Sequence, residues 1–209
     1  MKTLLRIDSS PLASGTSFSR QLTAEFVRKW QLTNPDGKVI TRDLSTTNLT
    51  PINAEWIAAA YTPEASLTES QRQELSISNE LIAELKEADE YAIGVAMHNF
   101  SIPSVLKLWI DQMVRAGKTF TYESGKGVGL LSGKKAVFLV SSGGVYEQGT
   151  PAAAMNFVEP YLQSIFGFLG VTDTSFINAG GTAQVRNGVA PAAILQPAFG
   201  SIHARFQTA

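Results

Sequence analysis

The sequence has no cysteine. That absence removes disulfides, thiolate nucleophiles, Cys-ligated zinc and iron–sulfur clusters together. Histidine is almost as scarce, with only His98 and His203. A three-histidine metal site therefore cannot be assembled, and a Ser-His-Asp triad would have to use one of these two. No metal is expected. An excess of one charge is lacking as well: 17 Lys and Arg stand against 18 Asp and Glu, a net charge of −1. The basic surplus that nucleic-acid binding calls for is missing. No apolar run approaches the ~18 residues needed to cross a bilayer, and Met1–Arg6 is too short for a secretory h-region. Neither nucleic acid nor membrane is expected as a partner, and a cytoplasmic location is the default. What is present, 209 residues of which 44% are hydrophobic, suits one globular domain over 1–209 whose core buries roughly 70% of the unfolded surface. Demanding chemistry is expected to fall to a bound cofactor.

Short β-branched runs alternate with longer stretches of helical period, the pattern of a parallel sheet covered by helices. Thr3–Asp8, Lys38–Leu44, Ala92–Met97, Ala136–Ser141 and Thr174–Asn178 read as strands. Helices are expected from about Ser19 to the stop at Asn34-Pro35-Asp36-Gly37, at Ala54–Tyr61 inside an excursion bounded by Pro51 and Pro63, and over Leu67–Ala88. Another follows Pro103, with Val105, Leu106, Trp109, Met113 and Val114 inward; Ala152–Leu169 is next, and Pro191–Phe206 closes the chain, with Pro197 expected to kink or interrupt it. Lys118–Gly133, rich in Gly, reads as a hairpin or insertion. Five strands and their intervening helices predict an α/β, flavodoxin-like fold: a five-stranded doubly wound parallel sheet with helices on both faces. A ligand in such a sheet lies outside the carboxyl ends of the strands at the switch point.

Three loops fall at such ends. Ser9–Ser19 sets hydroxyls before a helix N-terminus, where unpaired amides and the helix dipole favour an anion. It has no Lys and no G-x-x-x-x-G-K-[ST] pattern, so a terminal monophosphate fits better than a triphosphate. A plain Ser cap would use the same residues. Met97–Pro103 combines flat and apolar side chains with free amides, a surface for a planar heteroaromatic ring, although His98 and Phe100 taken singly also suit ordinary loop packing. Ser141-Ser142-Gly143-Gly144-Val145-Tyr146 offers two glycines that permit positive φ and amides that can converge on developing negative charge; a simple turn would look alike. The coincidence of the three loops on neighbouring strands is the specific signal.

These stretches resemble the FMN-dependent NADH azoreductases, relatives of the NAD(P)H quinone reductases in the flavodoxin-like superfamily, over nearly the whole chain. The resemblance is carried by Met97-His98-Asn99-Phe100-Ser101-Ile102-Pro103, Leu106-Lys107, Asp111, Arg115–Tyr122 and Ser141–Gly144. It implies tightly bound FMN, with Ser10, Ser17, Phe18 and Ser19 on its phosphate. Met97, His98, Asn99 and Phe100 would then support the isoalloxazine, with the Asn99 amide near N5, while Ser141, Ser142, Gly143 and Gly144 face the pyrimidine end. His98 stands where the family commonly has Tyr, and Ser142 where an Arg often lies. The resemblance also implies a homodimer in which Phe120 reaches over the partner's site and the excursion carrying Trp56 walls it; core packing is the alternative for both residues. NADH or NADPH would reduce the protein, and a quinone or azo compound would reoxidise it by a ping-pong scheme, with Tyr146 as an auxiliary proton source. Two other readings use the same scaffold: a flavodoxin-type electron carrier, against which stand the near-neutral charge and an insertion, Lys118–Gly133, expected to cover the flavin, and a flavin-free binding or regulatory module.

Overall fold

The computed structural model describes residues 1–207. In chain order the first half comprises β1 (Thr3–Asp8), α1 (Phe18–Thr33), β2 (Lys38–Asp43), α2 (Ala54–Tyr61), α3 (Glu69–Glu74), α4 (Ser76–Glu87) and β3 (Glu90–Ala96). The second half comprises α5 (Ser104–Met113), β4 (Phe120–Glu123), β5 (Lys126–Gly129), β6 (Lys135–Ser141), α6 (Val158–Phe168), β7 (Asp173–Ala179) and α7 (Pro191–Gln207). Five strands form one parallel sheet in the order β2-β1-β3-β6-β7, as the alternation predicts, while β4 and β5 pair as an antiparallel hairpin. The order reverses between β1 and β3, which places the switch point there.

The central strands read as unbroken apolar runs because both their faces are covered. On β1, Leu4 packs with Leu22, Phe26 and Trp30 of α1 and Leu195, Ala198 and Ile202 of α7. Its neighbours Leu5 and Ile7 point the other way, into a larger cluster with Leu85 of α4, Trp109 of α5 and Phe166 of α6. Burial of each such side chain contributes roughly 1.5–3 kcal/mol. Gly94 of β3 lets α1 settle close to the sheet, since a Cβ there would stand 2.8 Å from Thr23 Cγ2. That approach fixes where the N-terminus of α1 emerges.

The structure differs from the sequence expectations in four places. Leu67–Ala88 is not one helix: Thr68 and Gln71 form a capping box for α3, and the chain breaks at Leu75 before α4. Ala152–Leu169 is likewise divided, because the Asn156 carboxamide oxygen accepts from the amides of Val158 and Glu159 and so starts α6 afresh. α7 runs through Pro197 uninterrupted. Pro197 and Ala193, the residue four before it, both lie on the exposed face, so the carbonyl that loses its donor turns to water. Finally, the β4–β5 hairpin does not cover the strand-end loops of its own chain. It sits at the far end of α6, with Phe120 packed on Phe168 at 4.8 Å and the Leu131 amide bonded to the Leu169 carbonyl.

Candidate functional site

The loops after β1, β3 and β6 meet at the carboxyl edge of three adjacent strands. Direct bonds hold them together: the Ser9 hydroxyl donates to the Gly94 carbonyl at 2.6 Å, and the Met97 amide to the Ser141 carbonyl at 2.8 Å. In the first loop Ser10, Ser17 and Ser19 are each at most 2% exposed. Ser17 caps α1, its Oγ accepting from the Arg20 amide and lying 3.3 Å from Ser19 Oγ. Gln21 N bonds back to the Ser17 carbonyl, which leaves the amides of Phe18 and Ser19 at the positive end of a 16-residue helix. Capping and anion binding are therefore compatible here: one hydroxyl ends the helix while the cradle keeps donors for a phosphate.

A residue overlooked in the sequence holds this cradle. Arg20, 6% exposed, donates through Nε and Nη2 to the Ser10 carbonyl at 3.1 and 2.7 Å and forms a two-bonded pair with Asp43 at 2.7 Å. Asp8, buried at the end of β1, takes the Thr23 hydroxyl at 2.6 Å and lies 2.8 Å from Arg6 and 3.8 Å from Arg20. The Arg20 hydrogen bond holds the Asp43 carboxyl down at about 2, with Ser45 adding to it against a cost of burial. Because Arg20 is neutralised by carboxylates, it positions the loop backbone rather than presenting a free cation. Its signal in the sequence was an Arg in the first turn after Ser17-Phe18-Ser19.

The second loop is a tight turn closed by paired bonds between His98 and Ser101, at 2.9 and 3.0 Å. Both central residues are left-handed, Asn99 at φ 49° and Phe100 at φ 71°. Asn tolerates this; Phe does not readily, so strain is stored where His98, Asn99 and Phe100 are held out from the surface. The third loop holds its carbonyls inward: Gly143 O accepts from Ala183 N, Gly144 O from Gly181 N and Ser142 O from Thr182 N. Neither Gly143 nor Gly144 adopts positive φ. Gly144 is required for another reason, since a Cβ there would lie 3.0 Å from the Tyr146 ring. Tyr146 in turn meets Phe100 edge-on at 5.9 Å, joining the second and third loops.

Behind them, Met97, Ser142 and Tyr146 share a small cavity with Asn156, Glu159 and Asn178. The Glu159 Oε1 accepts from both carboxamides at 3.0 Å, and Asn156 also donates to the Tyr146 carbonyl. This network braces the third loop against β7; only its proximity in space marks it. Two candidates lie elsewhere. Trp56, 6% exposed, packs inward with Ala59 and Leu75 and donates to Gln112 Oε1 at 2.8 Å, so it presents no face to the rim. Phe120 lies on the distant hairpin.

A cradle of buried hydroxyls and helix amides, a turn holding flat side chains outward and an amide-lined turn, all at the switch point, define a nucleotide-binding α/β protein. The model of the flavodoxin-like fold family matches residues 1–200, and the chain belongs to that family. Over 187 residues it is 57% identical to the FMN-dependent NADH:quinone oxidoreductase of Acidobacterium capsulatum, covering 90% of each chain. A second such protein, from Burkholderia lata, is 43% identical over 97% of this chain and 98% of its own. The azoreductase of Bacillus anthracis strain Sterne superposes with a TM-score of 0.88 at 26% identity, covering all of both chains. An FMN-dependent NADH-azoreductase of the Ames Ancestor strain, solved in complex with FMN, gives 0.87 at 25% identity over 99% of each.

Proposed function

We infer that this protein is an FMN-dependent NADH:quinone oxidoreductase that also reduces azo compounds. The observation that carries the inference is the convergence of the β1, β3 and β6 loops on one rim, with buried serine hydroxyls at the α1 N-terminus and a Gly143-Gly144 turn whose carbonyls are tied inward. FMN would supply two-electron chemistry here, moving a hydride equivalent from NADH to the quinone or azo substrate. The hydroxyls of Ser10, Ser17 and Ser19, with the amides of Phe18 and Ser19, bind the phosphate; no Lys is needed for a monophosphate. Met97, His98, Asn99 and Phe100 hold the ring, and the Asn99 amide is the donor offered to N5. Ser141, Ser142, Gly143 and Gly144 would face the pyrimidine edge, where negative charge gathers on reduction; the amides of Gly143 and Gly144 are the donors offered there, since that of Ser142 is bonded to the Ala179 carbonyl, and they would raise the potential. Tyr146, which packs against Phe100, would hold a hydroxyl at this rim from which a proton could pass to substrate.

The working form is a homodimer in this reading. Ile57 and Tyr61 on α2 and Tyr122 and Leu130 by the hairpin are exposed, an apolar surface suited to a second copy. Phe120 then serves the partner's site, and Trp56 acts indirectly by fixing α2. The cytoplasm is the compartment proposed. One shared slot for NADH and quinone requires the first product to leave before the second substrate enters. Initial rates at several fixed quinone concentrations should give parallel double-reciprocal lines; intersecting lines would contradict the shared slot.

A further inference from the structure

A cavity of about 580 Å³ lies away from the three loops, between the turn at Glu64–Ser66, α4 and the turn Arg115–Lys118. Its volume falls in the range of small-molecule sites. Four cations line it, Arg72, Lys86, Arg115 and Lys118, against the single carboxylate of Glu64; Ala60, Leu67 and Ile82 give it an apolar wall. Glu64 is spent at the rim, paired with Lys118 at 2.8 Å and itself 75% exposed.

Arg115 is the informative member. It is 6% exposed, the same as Arg20, yet the two are treated differently. Arg20 has Asp43 and Asp8 within salt-bridge distance. Arg115 has no such carboxylate among the described residues. Its Nη1 donates to two neutral acceptors, Ser78 Oγ at 3.0 Å and Asn79 Oδ1 at 2.7 Å; its Nε has no acceptor; and its guanidinium carbon stands 5.9 Å from the Trp56 ring. Burial pulls its pKa downward. A buried cation is costly unless a counter-charge meets it, and here the one carboxylate of the cavity, Glu64, acts on Arg115 only from beyond salt-bridge distance and is already paired with Lys118, which leaves Arg115, Arg72 and Lys86 without a carboxylate partner among the described residues, around an open cavity.

We propose that this cavity is a second ligand site, distinct from the flavin site, that takes a small phosphorylated anion: a phosphomonoester or diphosphate lodged against Arg115, with Lys86, Arg72 and Lys118 closing around it. The excess of cations favours a dianion over a lone carboxylate. The apolar wall leaves room for a body attached to the phosphate, more than an acidic side chain of a second copy would fill.

The test uses FMN-loaded protein, so that the β1 loop is already filled, titrated calorimetrically with inorganic pyrophosphate at low ionic strength. Saturable binding at one site per chain is expected, with no FMN appearing in an ultrafiltrate. Affinity should fall about tenfold or more in a Lys86→Gln/Lys118→Gln double variant, whose changes lie on one exposed and one half-buried side chain outside the core, because two charge-assisted contacts are lost. It should be unchanged in Lys107→Gln, a surface control outside the cavity. Arg115→Gln, checked for folding by circular dichroism, should abolish binding. No binding, equal binding to wild type and double variant, or binding that releases FMN would overturn the proposal. So would an absence of pyrophosphate binding combined with a double variant that sediments as a smaller species, which would assign the cations to contact with a second copy.

Discussion

Arg20 links three pieces of backbone that the chain brings from far apart: the Ser10 carbonyl, the end of β2 at Asp43 and the first turn of α1. Arg20→Met should cost about 3–5 kcal/mol in urea unfolding, since removing one partner strands buried charge, and should weaken FMN binding by loosening the Ser10 turn. The pair also has an acid signature. Asp43 is depressed in the folded state, from 3.8 to about 2, so its stabilisation is fully present above pH 3.8 and is lost as pH falls through about 2. The variant should lack that slope. Phe100, at φ 71°, gives the complementary case. Phe100→Gly relieves about 1–2 kcal/mol of left-handed strain but forfeits its contact with Tyr146 and loosens the unfolded chain, so stability should shift by less than about 1 kcal/mol. FMN affinity should nevertheless drop. A variant that binds FMN as wild type does would show that the strained turn serves packing alone.

At the level of elements, legibility follows burial. β1, β3 and β6 are covered on both faces, and their apolar runs bounded them to within two residues. Leu67–Ala88 and Ala152–Leu169 kept helical period through breaks at Leu75 and at Asn156; periodicity registers the buried face, not the local backbone geometry that ends one helix and starts the next. α2 was found with the right limits, yet its Trp56 faces inward, because the partner that draws it there, Gln112, lies 56 residues on. Gln112 is fully buried and also donates to the Thr50 carbonyl. Gln112→Leu should therefore cost about 1–3 kcal/mol through two stranded polar groups. It should also expose residues 50–68 to limited proteolysis; an unchanged cleavage pattern would mean that α2 is held by other contacts.

For the molecule as a whole, the three serine- and glycine-bearing loops were legible because each directly follows a strand, and strand order alone gathers them. Arg20, Glu159, Asn156 and Asn178 were not, since they act across the fold without a fixed spacing. The hairpin's distance from the rim of its own chain is not legible, because the sequence records an insertion after α5 but not that α5 carries the chain to the other end of the sheet. What the rim binds, and what it then does, is tested most directly by a spectral titration of the FMN-loaded protein under anaerobic conditions. One equivalent of NADH per flavin should bleach the oxidised band in a single two-electron phase, and one equivalent of benzoquinone should restore it. A flavin that passes freely through the filter, or a one-electron radical that accumulates and persists, would contradict the account.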